Sequence, residues 1–229
     1  MAVSGTHVAS VYTGVDGTSF STNSYTPTAD RLMIAYVGNT KSGTPDTPTL
    51  SGNGLTWDQL VTYQPDTSGT QRRMTIFVAK SASPSAGAVT ASFGGVSQAG
   101  CAIIVDEFAG VDLTGTALAA IVQNKTGSTT GSSTSEVITL DNAIGSGNAT
   151  YGAFMHQADE ATNPGTGYTQ LGTGTFTSPV ESHLSEYRVD GNITVDASWA
   201  SSIQKGGIAA ELKAEGAGGG PSTSAVWIQ

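Results

Sequence analysis

Charge is scarce in this chain. Asp, Glu, Lys and Arg make up 12% of 229 residues, and nine basic residues face eighteen acidic ones, a formal net charge of −9. A nucleic-acid partner needs clustered Lys and Arg to neutralise phosphates, and nine dispersed cations exclude it, together with anionic membrane surfaces. Cysteine occurs once, at Cys101, so no intramolecular disulfide can form, and its place in an apolar run predicts a buried, inert thiol. No apolar stretch approaches the roughly 20 residues of a membrane span. The longest, Cys101 to Val105, reads as a buried strand. The first residues, Met1 to His7, carry neither a basic nor an apolar segment of the secretory kind, so no signal peptide is expected.

Hydroxyl residues and glycine are what the chain has instead: 32 Thr, 26 Ser and 30 Gly. Disordered acidic segments carry far more charge and far less Val, Ile and Leu. Thr, Val and Ile favour strands, and Gly, Pro, Asn and Asp close them with turns. The pattern predicts strands over 7–13, 31–37, 56–63, 72–80, 88–93 and 100–108. After a linking stretch it predicts more over 119–124, 136–140, 150–156, 168–171, 182–189, 193–199 and 207–214. In the strand over 72–80, Met74, Ile76 and Val78 share one face while Thr75, Phe77 and Ala79 share the other, so both faces are expected to be partly covered. The expected fold is all-β: an antiparallel, jelly-roll-like β-sandwich over 1–215, followed by a Gly/Ser linker and apolar arm over 216–229.

The two halves, about 5–115 and 116–215, resemble each other. Gly54-Leu-Thr-Trp57 and Gly165-Thr-Gly-Tyr168 precede similar strands, and Trp57 lies 111 residues before Tyr168, as Phe77 lies 110 before Tyr187. Five motifs recur in the same order, which points to an internal pseudo-repeat, built either as one large domain or as two tandem sandwiches.

The succession Leu32-Met-Ile-Ala-Tyr-Val37, Gly54-Leu-Thr-Trp-Asp-Gln-Leu60, Arg72-Arg-Met-Thr-Ile-Phe-Val-Ala-Lys80, Ala88-Val-Thr-Ala-Ser-Phe93 and Ile103-Ile-Val-Asp-Glu-Phe-Ala-Gly-Val-Asp112 resembles a widespread bacterial and phage β-sandwich module. That module carries a Gly-Trp-Thr turn, a strand ending in a basic residue and an aromatic-x-Gly-Val-Asp corner. The resemblance covers roughly residues 5 to 215, with Leu55 as a departure inside the turn. It implies a jelly-roll-type sandwich of virion structural and cell-surface proteins, and it carries no catalytic residue across.

Chemistry is sparse in the sequence. No Gly-x-Ser-x-Gly elbow, phosphate loop or paired-histidine helix is present. His7, His156 and His183 lie on different strands. A Ser-His-Asp set is defined by geometry and not by order, so the sequence does not place one; solvated strand hydroxyls and no enzyme are expected. Asp106 and Glu107, adjacent in a strand, should point to opposite faces. Glu181 and Glu186 flank His183 and read as a solvated strand edge. No catalytic residue, metal site or cofactor is expected. Trp57 and Trp199 read as core plugs, whereas Tyr12, Tyr25 and Tyr63 are the freer aromatics and the candidates for glycan contact.

These features favour a non-enzymatic phage virion protein, either an exterior capsid decoration (cement) protein or a fibre-associated one, made in the host cytoplasm. Homo-oligomer copies and other virion proteins are the expected partners. The alternative is a carbohydrate-binding or adhesin module of a phage tail or cell surface. Val226, Trp227 and Ile228, after the Gly/Ser tether, are the expected partner-docking arm. One consequence is local: Cys101 should resist thiol reagents in native buffer and react only on unfolding, and Cys101→Asp should destabilise the fold severely by burying an unpaired charge.

Overall fold

The computed structural model describes residues 2–66, 69–80, 83–127 and 131–216. The expected arm, Val226, Trp227 and Ile228, lies outside the described residues. Sixteen strands, all paired antiparallel, and a single turn of 3-10 helix (Leu118–Ala120) make up the regular structure among the described residues. The first half contains β1 (Ser4–Thr13), β2 (Ser19–Ser21), β3 (Leu32–Ser42), β4 (Thr49–Gly52), β5 (Asp58–Tyr63), β6 (Thr70–Lys80), β7 (Val89–Ser92) and β8 (Gly100–Ala109). The second contains β9 (Ile121–Thr126), β10 (Ser133–Thr139), β11 (Ala149–His156), β12 (Asn163–Pro164), β13 (Thr169–Thr177), β14 (Val180–Arg188), β15 (Thr194–Ile203) and β16 (Lys205–Leu212). All thirteen predicted strands are present. The three unpredicted ones, β2, β4 and β12, have two to four residues each, too few to show an alternating pattern.

Each half builds one five-stranded and one three-stranded sheet. The first half gives β1-β8-β3-β6-β5 and β2-β7-β4. The second gives β9-β16-β11-β14-β13 and β10-β15-β12, so adding eight to every label of the first pair yields the second. Each large sheet faces the small sheet of its own half. Met33, Ala35, Val37, Phe77, Cys101 and Ile103 meet Phe20, Val89 and Ala91 in one core. Phe154, Leu184 and Ala209 meet Ile138, Val195, Ala197 and Trp199 in another.

The two large sheets also pack against each other. Leu32, Ile34, Tyr36, Met74, Ile76, Val78, Ile104 and Phe108 of the first half share a core with Tyr151, Ala153, Met155, Ile208 and Leu212 of the second. The molecule is therefore a stack of four sheets around three apolar cores, two sandwiches joined through their large sheets. This arrangement explains the uninterrupted apolar runs. Strands covered on both faces cannot alternate apolar with polar residues, and β8 reads Gly100-Cys-Ala-Ile-Ile-Val105, every residue buried. Cys101 is fully buried there, and burial pushes its thiol well above the ordinary range. The two-sided covering expected of 72–80 is found: Met74, Ile76 and Val78 face the other half, while Phe77 and Ala79 face the small sheet.

Phe108 links the halves most directly. It is fully buried and meets the rings of Tyr151 and Tyr187 edge-on, with centroids 5.9 and 5.7 Å away. Because the central core is shared, the halves should unfold together. We expect a single denaturant transition for the whole chain, and Phe108→Ala should lower its unfolding free energy by about 3–5 kcal/mol without splitting that transition.

Candidate functional site

Polar groups collect where the two large sheets meet, and a backbone irregularity assembles the first cluster. In a regular strand His7 and Ser10 would point to opposite faces. The ladder between β1 and β8 pairs His7 with Asp106 but Ala9 with Val105, so Val8 is an extra residue, a β-bulge. The bulge turns His7 and Ser10 onto the same face, toward the second half. His7 Nδ1 lies 3.0 Å from Asp106 Oδ1, and His7 Nε2 lies 3.2 Å from Ser10 Oγ. The Tyr151 hydroxyl donates to Asp106 Oδ2 at 3.3 Å, and Ser185 adds a further hydrogen bond to the same carboxylate. Asp106 is fully buried, whereas the His7 side chain keeps 29% of its surface. Burial raises the Asp106 carboxyl above its ordinary range, and its bonds to His7, Ser185 and Tyr151 oppose that rise. As expected from their adjacency, Glu107 points the other way and accepts from the Thr28 backbone and hydroxyl.

The second cluster is charged and dry. Arg72 Nε donates to Glu181 Oε1 at 2.5 Å across the halves, and its Nη1 donates to Asp66 Oδ2 at 2.6 Å. Arg72 is 2% exposed and Glu181 fully buried. One guanidinium serves two carboxylates, and desolvation raises the Glu181 carboxyl against the pull of Arg72. Nearby, the Tyr36 hydroxyl meets His183 Nδ1 at 2.9 Å, and His183 stacks on Phe176. Burial lowers His183 to about 3 and keeps it neutral.

Glu181, His183 and Glu186 correct the sequence reading. They were expected on a solvated edge, but all three are fully buried, because β14 lies between β13 and β11 in a sheet covered on both faces. Glu186 accepts from the Gly165 backbone at 2.9 Å, and burial pushes its carboxyl up to about 8.

The glycan candidates are turned inward. Tyr63 is 8% exposed within the central core. Tyr12 packs on that core, Tyr25 on the core of the first half, and both hydroxyls are out of solvent. Trp57 and Trp199 pack on cores, as expected. Trp57 packs on the first-half core, and Trp199 stacks on His156 at 4.7 Å while its Nε1 donates to the Ser133 carbonyl at 2.8 Å. His156 bonds Thr162 at 2.8 Å, and burial lowers it to about 4.

Compared with known proteins, the chain matches no family model, no curated protein and no solved structure. Among the described residues no helix is long and apolar enough to cross a membrane.

The buried groups set a pH dependence. Glu186, raised from an ordinary 4.5 to about 8, contributes stability that is complete below pH 4.5 and lost as pH rises through 8. His156 and His183, held below their ordinary 6.5, act oppositely, but only beneath that value. Glu181 is raised to about 8 as well, so between pH 6.5 and 8.5 the two carboxyls act together without the histidines, and Tm should fall across this window. Glu186→Gln, which keeps the acceptor for Gly165 and removes the titration, should recover about 1 kcal/mol at pH 8.5, roughly 2–4 °C in a thermal melt.

Proposed function

We propose that this chain is a structural protein of a phage particle, an exterior decoration (cement) or fibre-associated subunit. The observation that carries the reading is the four-sheet stack, in which buried ionic and hydrogen-bonded groups are spent on holding two sandwiches in fixed register. Such a unit transmits load and presents outward a surface rich in Ser and Thr and poor in charge. The strand order supports a jelly-roll-like reading of each half, since successive strands alternate between its sheets over most of the chain. The matching order of the halves supports an internal duplication.

Self-association fits the edges. β9 and β10 are outer strands of their sheets, and their Val122 and Val137 are 52% and 57% exposed. Open edges of this kind invite pairing unless a second copy covers them. In this reading Val226, Trp227 and Ile228 supply the docking arm to a neighbouring copy or to the particle. The carbohydrate-binding alternative loses support from the geometry, because none of Tyr12, Tyr25 and Tyr63 offers an open ring face with a solvated hydroxyl.

Mass spectrometry of purified particles checks the role: the chain should appear as a stoichiometric component, and its absence overturns the reading. Deleting residues 225–229 tests the arm. The truncated protein should melt as the full chain does but lose oligomerisation or particle binding; unchanged assembly would rule the arm out.

A further inference from the structure

We propose that Ser10, His7 and Asp106 form an acyl-transfer site, with Ser10 as nucleophile, His7 as its base and Asp106 as the residue that positions the imidazole. This goes beyond the assembly role and does not depend on it. The atoms are in the required order. Ser10 Oγ meets Nε2, the carboxylate meets Nδ1, and the distances are 3.2 and 3.0 Å. The acid is buried and fixed by Tyr151 and Ser185, while His7 and Ser10 both keep partial access to solvent.

The second half serves as an internal control. Glu107 on β8 holds the loop entering β3 through Thr28, and Glu211 on β16 holds the loop entering β11 through Gly145 and Asn148. These two carboxylates occupy matching places in matching strands. The residue before Glu107 is Asp106, opposite His7; the residue before Glu211 is Ala210, opposite Asn124. The same architecture therefore forms without an acid and an imidazole at this place. The matching β9–β16 ladder bulges too, at Val122, but before the position that matches His7 and not after it, so the placement that brings Ser10 onto the His7 face belongs to the first half alone.

The surroundings supply two further parts. Tyr12 follows Ser10 on the same face, and its hydroxyl is out of solvent with the Ser10 hydroxyl as its polar neighbour. Burial pushes this phenol up to about 12, while the neighbouring Ser10 hydroxyl opposes the rise, so it stays a donor at any ordinary pH. It is the candidate to stabilise a developing oxyanion beside Ser10. β13 lies close over these side chains because Gly172 and Gly174 have no Cβ: one at Gly172 would stand 2.9 Å from His7 Nδ1, and one at Gly174 2.4 Å from the Tyr12 ring. Further along β1 a shallow hollow of about 460 Å³ opens between Tyr12, Gly14, Val15, Phe176 and Ser178, lined by neither Ser10 nor His7. With β13 this close over His7 and Tyr12, the substrate we assign is a small ester of a short carboxylic acid, not a polymer.

The chemistry balances without a cofactor. Ser10 Oγ attacks the ester carbonyl carbon as its proton passes to His7 Nε2. The tetrahedral intermediate expels the alcohol, which takes that proton, and leaves an acyl ester on Ser10. Water then attacks with its proton passing to Nε2, and the acid departs as Ser10 regains its hydrogen. The sum is ester plus water to acid plus alcohol.

The test treats the native full-length protein with a small fluorophosphonate, which phosphonylates activated serines with loss of fluoride, and follows p-nitrophenyl acetate hydrolysis in parallel. We expect one adduct, mapped to Ser10 by peptide fragmentation, absent in Ser10→Ala and absent when the chain is unfolded before labelling. His7→Gln should slow labelling and hydrolysis by about 100-fold or more. This variant is expected to fold, because Gln123 already donates to the buried carboxylate of Glu211 at 2.7 Å. Tyr12→Phe should lower the rate about 100-fold while labelling still maps to Ser10. The proposal is overturned if the native protein is not labelled, if adducts spread over several serines, or if Ser10→Ala is labelled and hydrolyses ester as before. The mapping on the unaltered chain decides the matter even should a variant misfold, and neither result bears on particle assembly.

Discussion

The constraint on which the structure depends is that the inner strands of both large sheets are covered on both faces. A sheet with one wet face alternates apolar and polar residues, and each half would then be an independent sandwich. Here β3, β8, β11 and β16 are buried almost throughout, so neither half can present its large sheet to water without exposing Tyr36, Ile104, Tyr151 and Ile208 together. Folding of one half is thereby tied to docking of the other. The small sheets, covered on their inner faces alone, keep the alternating pattern, as β10 shows in Glu136-Val-Ile138, buried, exposed, buried.

Covering both faces has an electrostatic cost, visible in the groups it traps. Arg72, Glu181 and Asp66 form a dry cluster in which Arg72 Nη2 and Glu181 Oε2 have no hydrogen-bond partner among the described residues. A buried ion pair seldom adds net stability over apolar residues of equal volume, but removing one member strands the other, at about 3–5 kcal/mol. Such a cluster disfavours misaligned dockings of the two sheets more than it strengthens the aligned one. Sliding one sheet over the other by one residue, roughly 3.3 Å, would carry Glu181 off Arg72 and leave both charges buried and unpaired. Register between the halves is thus enforced by what a slip would leave unpaired.

Much of the fold was legible in the sequence, because strand length and apolar content are local properties. The strands over 72–80 and 100–108 declared themselves through composition, and the two-sided run of Met74 to Ala79 even announced that both faces are covered. Burial of polar residues was not legible. Glu181, His183 and Glu186 look like an edge strand read alone, and only the neighbours β13 and β11, distant in sequence, enclose them. The short strands β2, β4 and β12 depend on pairing with β7 and β15 and have no pattern of their own. Ser10 and His7 were hidden for a different reason. Strict alternation separates residues three apart, and no residue type near Val8 marks the bulge that joins them.

The matching strand orders of the halves make their differences informative. Positions that the architecture needs recur: Glu107 and Glu211 anchor equivalent loops, and Trp57 and Tyr168 stand before equivalent strands. Positions in the junction do not recur, since β1 lies beneath β13 while β9 keeps an open edge. The polar residues facing that junction, His7, Ser10, Asp106, Arg72 and Glu181, therefore answer to docking or to chemistry and not to the sandwich itself. Arg72 and Glu181 are almost wholly enclosed, which suits docking. His7 and Ser10 retain contact with water, and a residue needed only to satisfy Asp106 could be an amide, as Gln123 is for Glu211. An imidazole hydrogen-bonded onward to a partly exposed hydroxyl exceeds that need, and the excess is what separates a reactive site from a structural one.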